Sequence, residues 1–224
     1  RKKYPDAELF FLVGADMLKD FYTWKQPETI LENCELVVCN REGDKVNFAM
    51  EQLRFFARFK KKFRTLEYVG RNVSSTKARV LCAFGEDLRP YLPDEVIEYI
   101  EANELYRVEG VKSALKYLKP ARLKHTLRVA LTAAPFAPKY KLAERDVIRA
   151  AALHDVAKNM DLSAPELAGF VPPEGVPEPV MHQFSGAYAA EHFFGVKEEE
   201  VPDAIRYHTS GKPNMSDLGK LLFL

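Results

Sequence analysis

Four histidines, His125, His154, His182 and His208, together with Asp155 directly after the second, are the residues of this chain best suited to chemistry. Imidazole nitrogen and carboxylate oxygen are ligands for iron, manganese, zinc or nickel, and with no cysteine nearby a structural zinc site is disfavoured. The expected site is therefore catalytic and open, with Asp155 able to bridge two ions. Such ions activate water and absorb charge on phosphate oxygens, so the pattern points to phosphate chemistry. Taken singly, each histidine is as well explained as a helix residue bonded to a carbonyl; the argument rests on the set. The chain holds five histidines, and the fifth, His192 in AAEHFFG, is expected simply to lie on an amphipathic helix.

Successive members of the set lie 26 to 29 residues apart, enough for a helix and its return. Four helices could thus aim one imidazole each at a common centre. Neighbours on a helix point about 100° apart, so Asp155 must reach sideways to an ion held by His154. Lys158, one turn beyond His154, is placed to meet a phosphate, although a solvated surface lysine would look the same. Arg206 and Thr209, flanking His208, are looser candidates, and Arg206 reads equally well as a salt-bridge partner. From Val111 onward the pattern is wholly helical, with breaks near Pro135 and Pro138, across residues 171–179, and near Gly195 and Gly211.

The first half is built differently. ELFFLVGAD (residues 8–16) is a short apolar run that reads as a buried parallel strand ending at a ligand-facing loop, and ELVVCN (residues 35–40) repeats the form. A helical stretch lies between them at residues 26–33 and another follows at residues 48–63, before a shorter strand candidate, TLEYV. Strands alternating with helices imply a parallel sheet with crossovers. Ser74 or Ser75 can cap a helix that begins with Thr76, Lys77 and Arg79. The fold class is therefore α/β followed by all-α: a partial doubly wound parallel sheet over residues 1–108 and a helical domain over residues 109–224, with almost no linker. The stretch RFFARFKKKFR (residues 54–64) reads as a helix with Phe55, Phe56, Phe59 and Phe63 on its apolar face rather than as a nucleic-acid patch.

A net charge of +1 over 224 residues gives no global field to gather nucleic acid, so phosphate ligands must be held by local groups and small ligands fit best. No run reaches the roughly 18 apolar residues that cross a bilayer, and the N-terminus lacks the order of a signal peptide. A cytoplasmic protein without membrane partners is expected, with Cys34, Cys39 and Cys82 reduced and buried. The oligomeric state stays open, a homodimer included.

VGAD (residues 13–16), Trp24, NREG (residues 40–43) and VSSTKAR (residues 73–79) occur in the order and spacing of bacterial nicotinate-nucleotide adenylyltransferases, which residues 1–106 resemble. The resemblance implies that Ser74, Ser75, Thr76 and Arg79 grip ATP phosphates. A helix N-terminus with hydroxyls and a guanidinium is physically suited to that use. It further implies that Gly14 and Asp16 line the nucleotide pocket, that Trp24 lies near the pyridine ring of nicotinate mononucleotide, and that Arg41 contacts substrate. Two departures stand out. The family's glycine-rich opening with paired histidines would lie upstream of Arg1, so this half is expected to be inactive alone, and Ala78 replaces the usual branched aliphatic residue.

RLKHTLRVA, RAAALHDVAK, MHQFSGAYAAEHFFG and AIRYHTSGKPNMSDLGKLLFL together resemble the HD-domain hydrolases of the YqeK type, which split symmetrical dinucleoside tetraphosphates and in some bacteria follow a nicotinate-nucleotide adenylyltransferase in one chain. This resemblance implies metal ligation by His125, His154, Asp155, His182 and His208, with Asp155 and Lys158 catalytic. It also implies two divalent cations, iron first, manganese or another ion next. The implied substrate is diadenosine tetraphosphate, cut into two ADP, with ATP and nicotinate mononucleotide serving the full-length protein. Competing readings make adenylyl transfer the main role with a regulatory helical part, or make the helical part a nucleotide sensor. Both ends are expected to be cut: the family's pattern has a further aspartate beyond Leu224, and a longer chain is expected to bind metal more tightly.

Overall fold

The computed structural model describes residues 3–41, 46–70 and 73–223, with the side chains of residues 41 and 67–70 set aside. The chain forms two compact units that divide between Val73 and Ser74.

In the first unit, apolar β-rich segments form β1 (Phe10–Gly14), β2 (Glu35–Arg41) and β3 (Arg64–Gly70), all parallel in the order β1-β2-β3. Parallel pairing demands crossovers, supplied by α1 (Ala15–Phe21) and α2 (Pro27–Asn33) between the first two strands and by α3 (Phe48–Phe59) before the third. Pro27 opens α2, where a missing N–H costs nothing, and the Asn47 side chain caps α3 by accepting from the Met50 N–H at 3.1 Å. Leu18, Phe21, Leu36, Val38, Phe55 and Phe63 fill the core between sheet and helices.

Four expectations change here. The first strand is not buried along its length: at the end of the order β1-β2-β3, Phe10, Phe11 and Leu12 of β1 are exposed and only Val13 is buried. Residues 15–21 form a helix directly after β1 instead of a loop, so Asp16 sits in the first turn of α1. There a carboxylate complements the partial positive charge of the helix start. The helix expected to reach residue 63 stops at Phe59, because Lys60 adopts a left-handed conformation (φ 55°). Phe63 still enters the core from beyond the helix, but Phe56 is 47% exposed. The cysteines are free as expected, yet half-buried rather than buried.

The second unit is helical: α4 (Ser75–Phe84), α5 (Asp94–Ala102), α6 (Val111–Leu115), α7 (Pro120–Ala133), α8 (Glu144–Leu153), α9 (Glu178–His192), α10 (Glu200–Arg206) and α11 (Asp217–Leu222). Its organising element is α8, in which every residue from Val147 to Leu153 is buried. A stretch buried on all sides must be surrounded: α6, α7, α10 and α11 pack against it, and its one buried charge, Arg149, pairs with Glu198. Ala150, Ala151 and Ala152 let these neighbours approach closely. Whatever follows the end of α8 is therefore held at the centre of the unit. The chain enters α6 through Gly110 (φ 82°), where a Cβ would lie 2.9 Å from the Phe194 carbonyl oxygen, so glycine is required twice over.

The division at Val73/Ser74 differs from the junction expected at residue 108/109. Helix α4 packs with the helical unit, its Val80, Ala83 and Phe84 joining a core that includes Val111, Ala130 and Val147. Arg79 reinforces this attachment by donating to both oxygens of Glu144 at 2.6 and 2.7 Å, and Thr76 donates to the same carboxylate at 3.3 Å. A bidentate, partly screened pair of this kind is stronger than an exposed one. Glu144→Ala is expected to lower the stability of the helical unit by about 1 kcal/mol, measurable by denaturant unfolding and absent when Arg79 is already alanine.

Candidate metal centre

Each of the four histidines is presented by a different part of the helical unit. His125 lies within α7 and His182 within the first turns of α9. His154 is the C-cap of α8, and His208 follows α10 in a turn. Two of the four expected helices are thus replaced by helix ends. Since α8 stops at Leu153, Asp155 and Lys158 lie in the turn beyond it rather than on the same helix. This change solves the problem of adjacent residues pointing apart, because the chain bends where His154 and Asp155 must converge.

All five residues meet. Asp155 is 3% exposed, His154 4% and His182 7%. The Asp155 carboxylate sits between two histidine pairs: Oδ2 lies 3.3 Å from His154 Nε2 and 3.7 Å from His125 Nε2, while Oδ1 lies 3.3 Å from His182 Nε2 and 3.7 Å from His208 Nε2. Within each pair the two Nε2 atoms are 3.3 Å apart. Nitrogen ligands about 2.1 Å from one ion stand about 3.0–3.4 Å from each other, so both pairs have the spacing of donors sharing a cation.

Protonation supports the same reading. Nδ1 of His154, His182 and His208 lies 2.7, 3.0 and 2.7 Å from the carbonyl oxygens of Ala151, Pro179 and Ile205. Each Nδ1–H donates to a backbone carbonyl three residues upstream, which leaves the Nε2 lone pair facing inward. Burial, with Lys158 and His208 nearby, pulls His182 down from 6.5 to about 4. Burial and the neighbouring His154 lower His125 as well. Burial alone would raise the Asp155 carboxyl, but His154, His208 and Arg122 outweigh it and hold it well below the usual carboxylate range. At neutral pH His125 and His182 offer lone pairs beside an ionised carboxylate, and imidazoles with a carboxylate form a donor set that fits divalent cations.

A pH dependence follows from the sign of these shifts. His182 is neutral in the fold at pH values where an unfolded chain would protonate it, so the unfolded state binds the extra proton. The metal-free chain is expected to lose thermal stability as pH falls from about 6.5 to about 4. Thermal melts at stepped pH check this, with a flatter profile expected for His182→Ala.

Two supporting residues carry no signal in the sequence. Arg122, one turn before His125, donates to Asp155 Oδ2 at 2.7 Å. Gln183 is buried beside His182 and anchors the turn after His208: its Oε1 accepts from the N–H groups of Thr209 and Ser210, and its Nε2 donates to Ser210 Oγ at 2.9 Å. The Arg122 contact spans 33 residues and no local pattern announces it. Lys158 donates to the Pro179 carbonyl at 3.2 Å, with Nζ 3.1 Å from the His182 ring. Arg206 pairs with Glu191 at 3.2 Å, while Thr209 meets Gln183 through its backbone. His192 stays apart, stacked on Tyr188 at 4.1 Å.

The residues expected around a nucleotide in the first half divide between the units. Gly14, Asp16 and Trp24 belong to the first unit, where Gly14 is the N-cap of α1 and Trp24 packs on Phe21 and Phe11 with centroids 5.1 and 5.9 Å away. Ser74, Ser75, Thr76 and Arg79 belong to the second. Ser74 caps α4 by accepting from the Lys77 N–H at 3.1 Å, and Ser75 begins the helix. Arg41 ends β2, but its side chain lies outside the described residues, as do residues 42–45.

Comparison with known proteins adds to this geometry. A family model described as HD domain matches residues 122–224, and one described as cytidylyltransferase-like matches residues 1–81. The chain is thus similar to cytidylyltransferase-like proteins in its first part and to HD domains in its second. Among curated proteins, the probable nicotinate-nucleotide adenylyltransferase/Ap4A hydrolase of Mycoplasma pneumoniae is 29% identical over 227 residues, covering 100% of this chain and 61% of the relative. Its namesake from Mycoplasma genitalium is 26% identical over 99% of this chain and 60% of its own length. A probable nicotinate-nucleotide adenylyltransferase of Clostridium tetani is 34% identical over 110 residues, covering 48% of this chain and 54% of its own length. The chain therefore spans about three fifths of the full-length relatives it matches throughout. The HD domain contains all five clustered residues. Among the described residues no helix is long and apolar enough to cross a membrane.

Proposed function

We propose that the HD domain hydrolyses dinucleoside polyphosphates, with diadenosine tetraphosphate cut symmetrically, and that the full-length protein also makes the dinucleotide from ATP and nicotinate mononucleotide. The observation that carries this reading is the division of Asp155: one oxygen faces His125 and His154, the other His182 and His208. Two divalent cations, iron first and manganese next, would be held by these five residues. When bound, such cations lower the pKa of water and offset charge on phosphate oxygens.

The chain's own residues do the rest. Asp155, ionised and buried, keeps negative charge at the centre, and the carbonyl bonds to Nδ1 keep three imidazoles aimed inward. Lys158, beside His182, and Arg122, beside Asp155, carry cations suited to bind phosphate oxygens. Water supplies the oxygen of one new terminal phosphate, the central anhydride P–O bond breaks, the other half leaves with the bridging oxygen, and the two water protons end on the products or solvent. The products are two ADP.

Chromatography of the products tests the reading. ADP alone is expected, with none from His154→Ala; ATP with AMP in equal amounts would refute symmetrical cleavage. The adenylyltransferase part is taken to extend through α5 to about residue 108; a relative named for that activity alone aligns with 48% of this chain. A second reading, a regulatory HD domain, draws support from Glu144, which starts the helix leading to His154 and grips Arg79 and Thr76. Dinucleotide formation by the full-length protein, unchanged in Glu144→Ala, would dismiss it.

A further inference from the structure

The imidazoles form a row in the order His125, His154, His208, His182, with neighbouring ring centroids 5.3, 5.1 and 5.1 Å apart, and each end borders a cavity. At the His125 end, Arg128, Val129 and Thr132 follow along the same face of α7, facing Phe136 and Leu221 across a space of about 220 Å³. At the His182 end, Lys158, Met160, Leu162 and Met181 border a space of about 250 Å³. Pockets for whole drug-sized ligands measure roughly 300–1,000 Å³, so each space suits one ring system of a larger molecule. Deepening the hydrolase reading on which it rests, we infer that these cavities are the two nucleobase subsites of a two-ended ligand whose phosphate chain lies along the row.

The His125 cavity has the chemistry of a base site. Phe136 is 43% exposed, an aromatic face open to stacking, which tolerates any base because every base has a π-face. Val129 and Leu221 supply apolar walls, and the Thr132 hydroxyl can donate or accept at a base edge. Arg128, one turn beyond His125, lines the cavity beside it, where a guanidinium can meet a phosphate next to the nucleoside. At the other end Met160, Leu162 and Met181 give a softer wall, suited to a flat ring through sulfur–π contact, and Lys158 takes the place of Arg128. A ligand with a single base would fill one cavity; a dinucleoside polyphosphate fills both.

The test is calorimetric binding of ADP and of inorganic tripolyphosphate to the metal-loaded protein and to Phe136→Ala and Thr132→Trp, with metal content measured in each. Phe136→Ala removes the stacking face and Thr132→Trp fills the space; both positions are exposed, so folding should survive. Weakening of ADP binding by about tenfold in both variants, with tripolyphosphate binding and metal content unchanged, is the expected result. ADP affinity unaltered in both variants would overturn the base site. Phe136-dependent ADP binding without hydrolysis of any dinucleoside polyphosphate would refute the hydrolase reading and keep the base site. Hydrolysis with an unchanged KM in both variants would do the reverse.

Discussion

Replacing Asp155 by asparagine is expected to reduce hydrolysis of dinucleoside polyphosphates by roughly three orders of magnitude or more, with kcat carrying most of the loss. The amide keeps the shape of the carboxylate but neither its charge nor its symmetry. One histidine pair would still face an oxygen; the other would face an NH2 group, whose hydrogens would bond the very lone pairs needed for a cation. Arg122 would lose its anionic partner at the same time. Because asparagine matches aspartate in size and shape, the fold should persist, and circular dichroism can check that it does. A loss smaller than about tenfold would mean that the reaction does not use this centre.

The second large effect concerns stability. Four imidazoles and a carboxylate from α7, the end of α8, α9 and the turn after α10 are drawn to one point, so a cation that binds them ties these elements together. An ion at a thousand times its dissociation constant adds about 4 kcal/mol to the folded state. Removing metal with a chelator is therefore expected to lower the melting temperature by several degrees and to abolish hydrolysis, and added manganese or iron should restore both. Asp155→Asn should melt near the metal-free wild type and respond little to added ion. The neutral state of His182 and the ionised state of Asp155 mean that neither has to shed a proton to bind an ion near pH 7.

Much of this arrangement is legible in the sequence, and the reason is chemical. Histidine is rare in the chain, so four in distinct settings beside one aspartate carry information that a common residue could not. The alternation of apolar runs and helical stretches in the first half likewise marks a parallel sheet, although the apolar run of β1 does not report burial, since only Val13 of it is buried. What the sequence hides is where helices stop and what pairs across the chain. Nothing local distinguishes Leu153 as the end of α8: the alanines and leucine before it would continue a helix equally well, and the turn is decided by the burial of His154 and Asp155. Ala15 to Phe21 follows a strand with no loop-forming interval, so the helix is masked by the apolar run before it.

Long-range partners are invisible for the same reason. Glu144 meets Arg79 across 65 residues, and before folding both are ordinary charged residues on helices. The attachment of α4 to the helical unit follows from that pair and from Val80, Ala83 and Phe84, whose apolar character shows that they are buried but not against what. Gln183 looks like one polar residue within MHQFSGA, yet it shapes the turn that carries His208. Phe136, in a proline-broken segment, gives no hint that it borders the row.

Elemental analysis of the metal-loaded chain beside Asp155→Asn and His154→Ala is the most direct test of a shared centre. Roughly two divalent ions per wild-type chain, with at most a small fraction retained by either variant, is the expected result. Equal metal content in all three proteins, or no bound ion in the wild type at neutral pH, would contradict it.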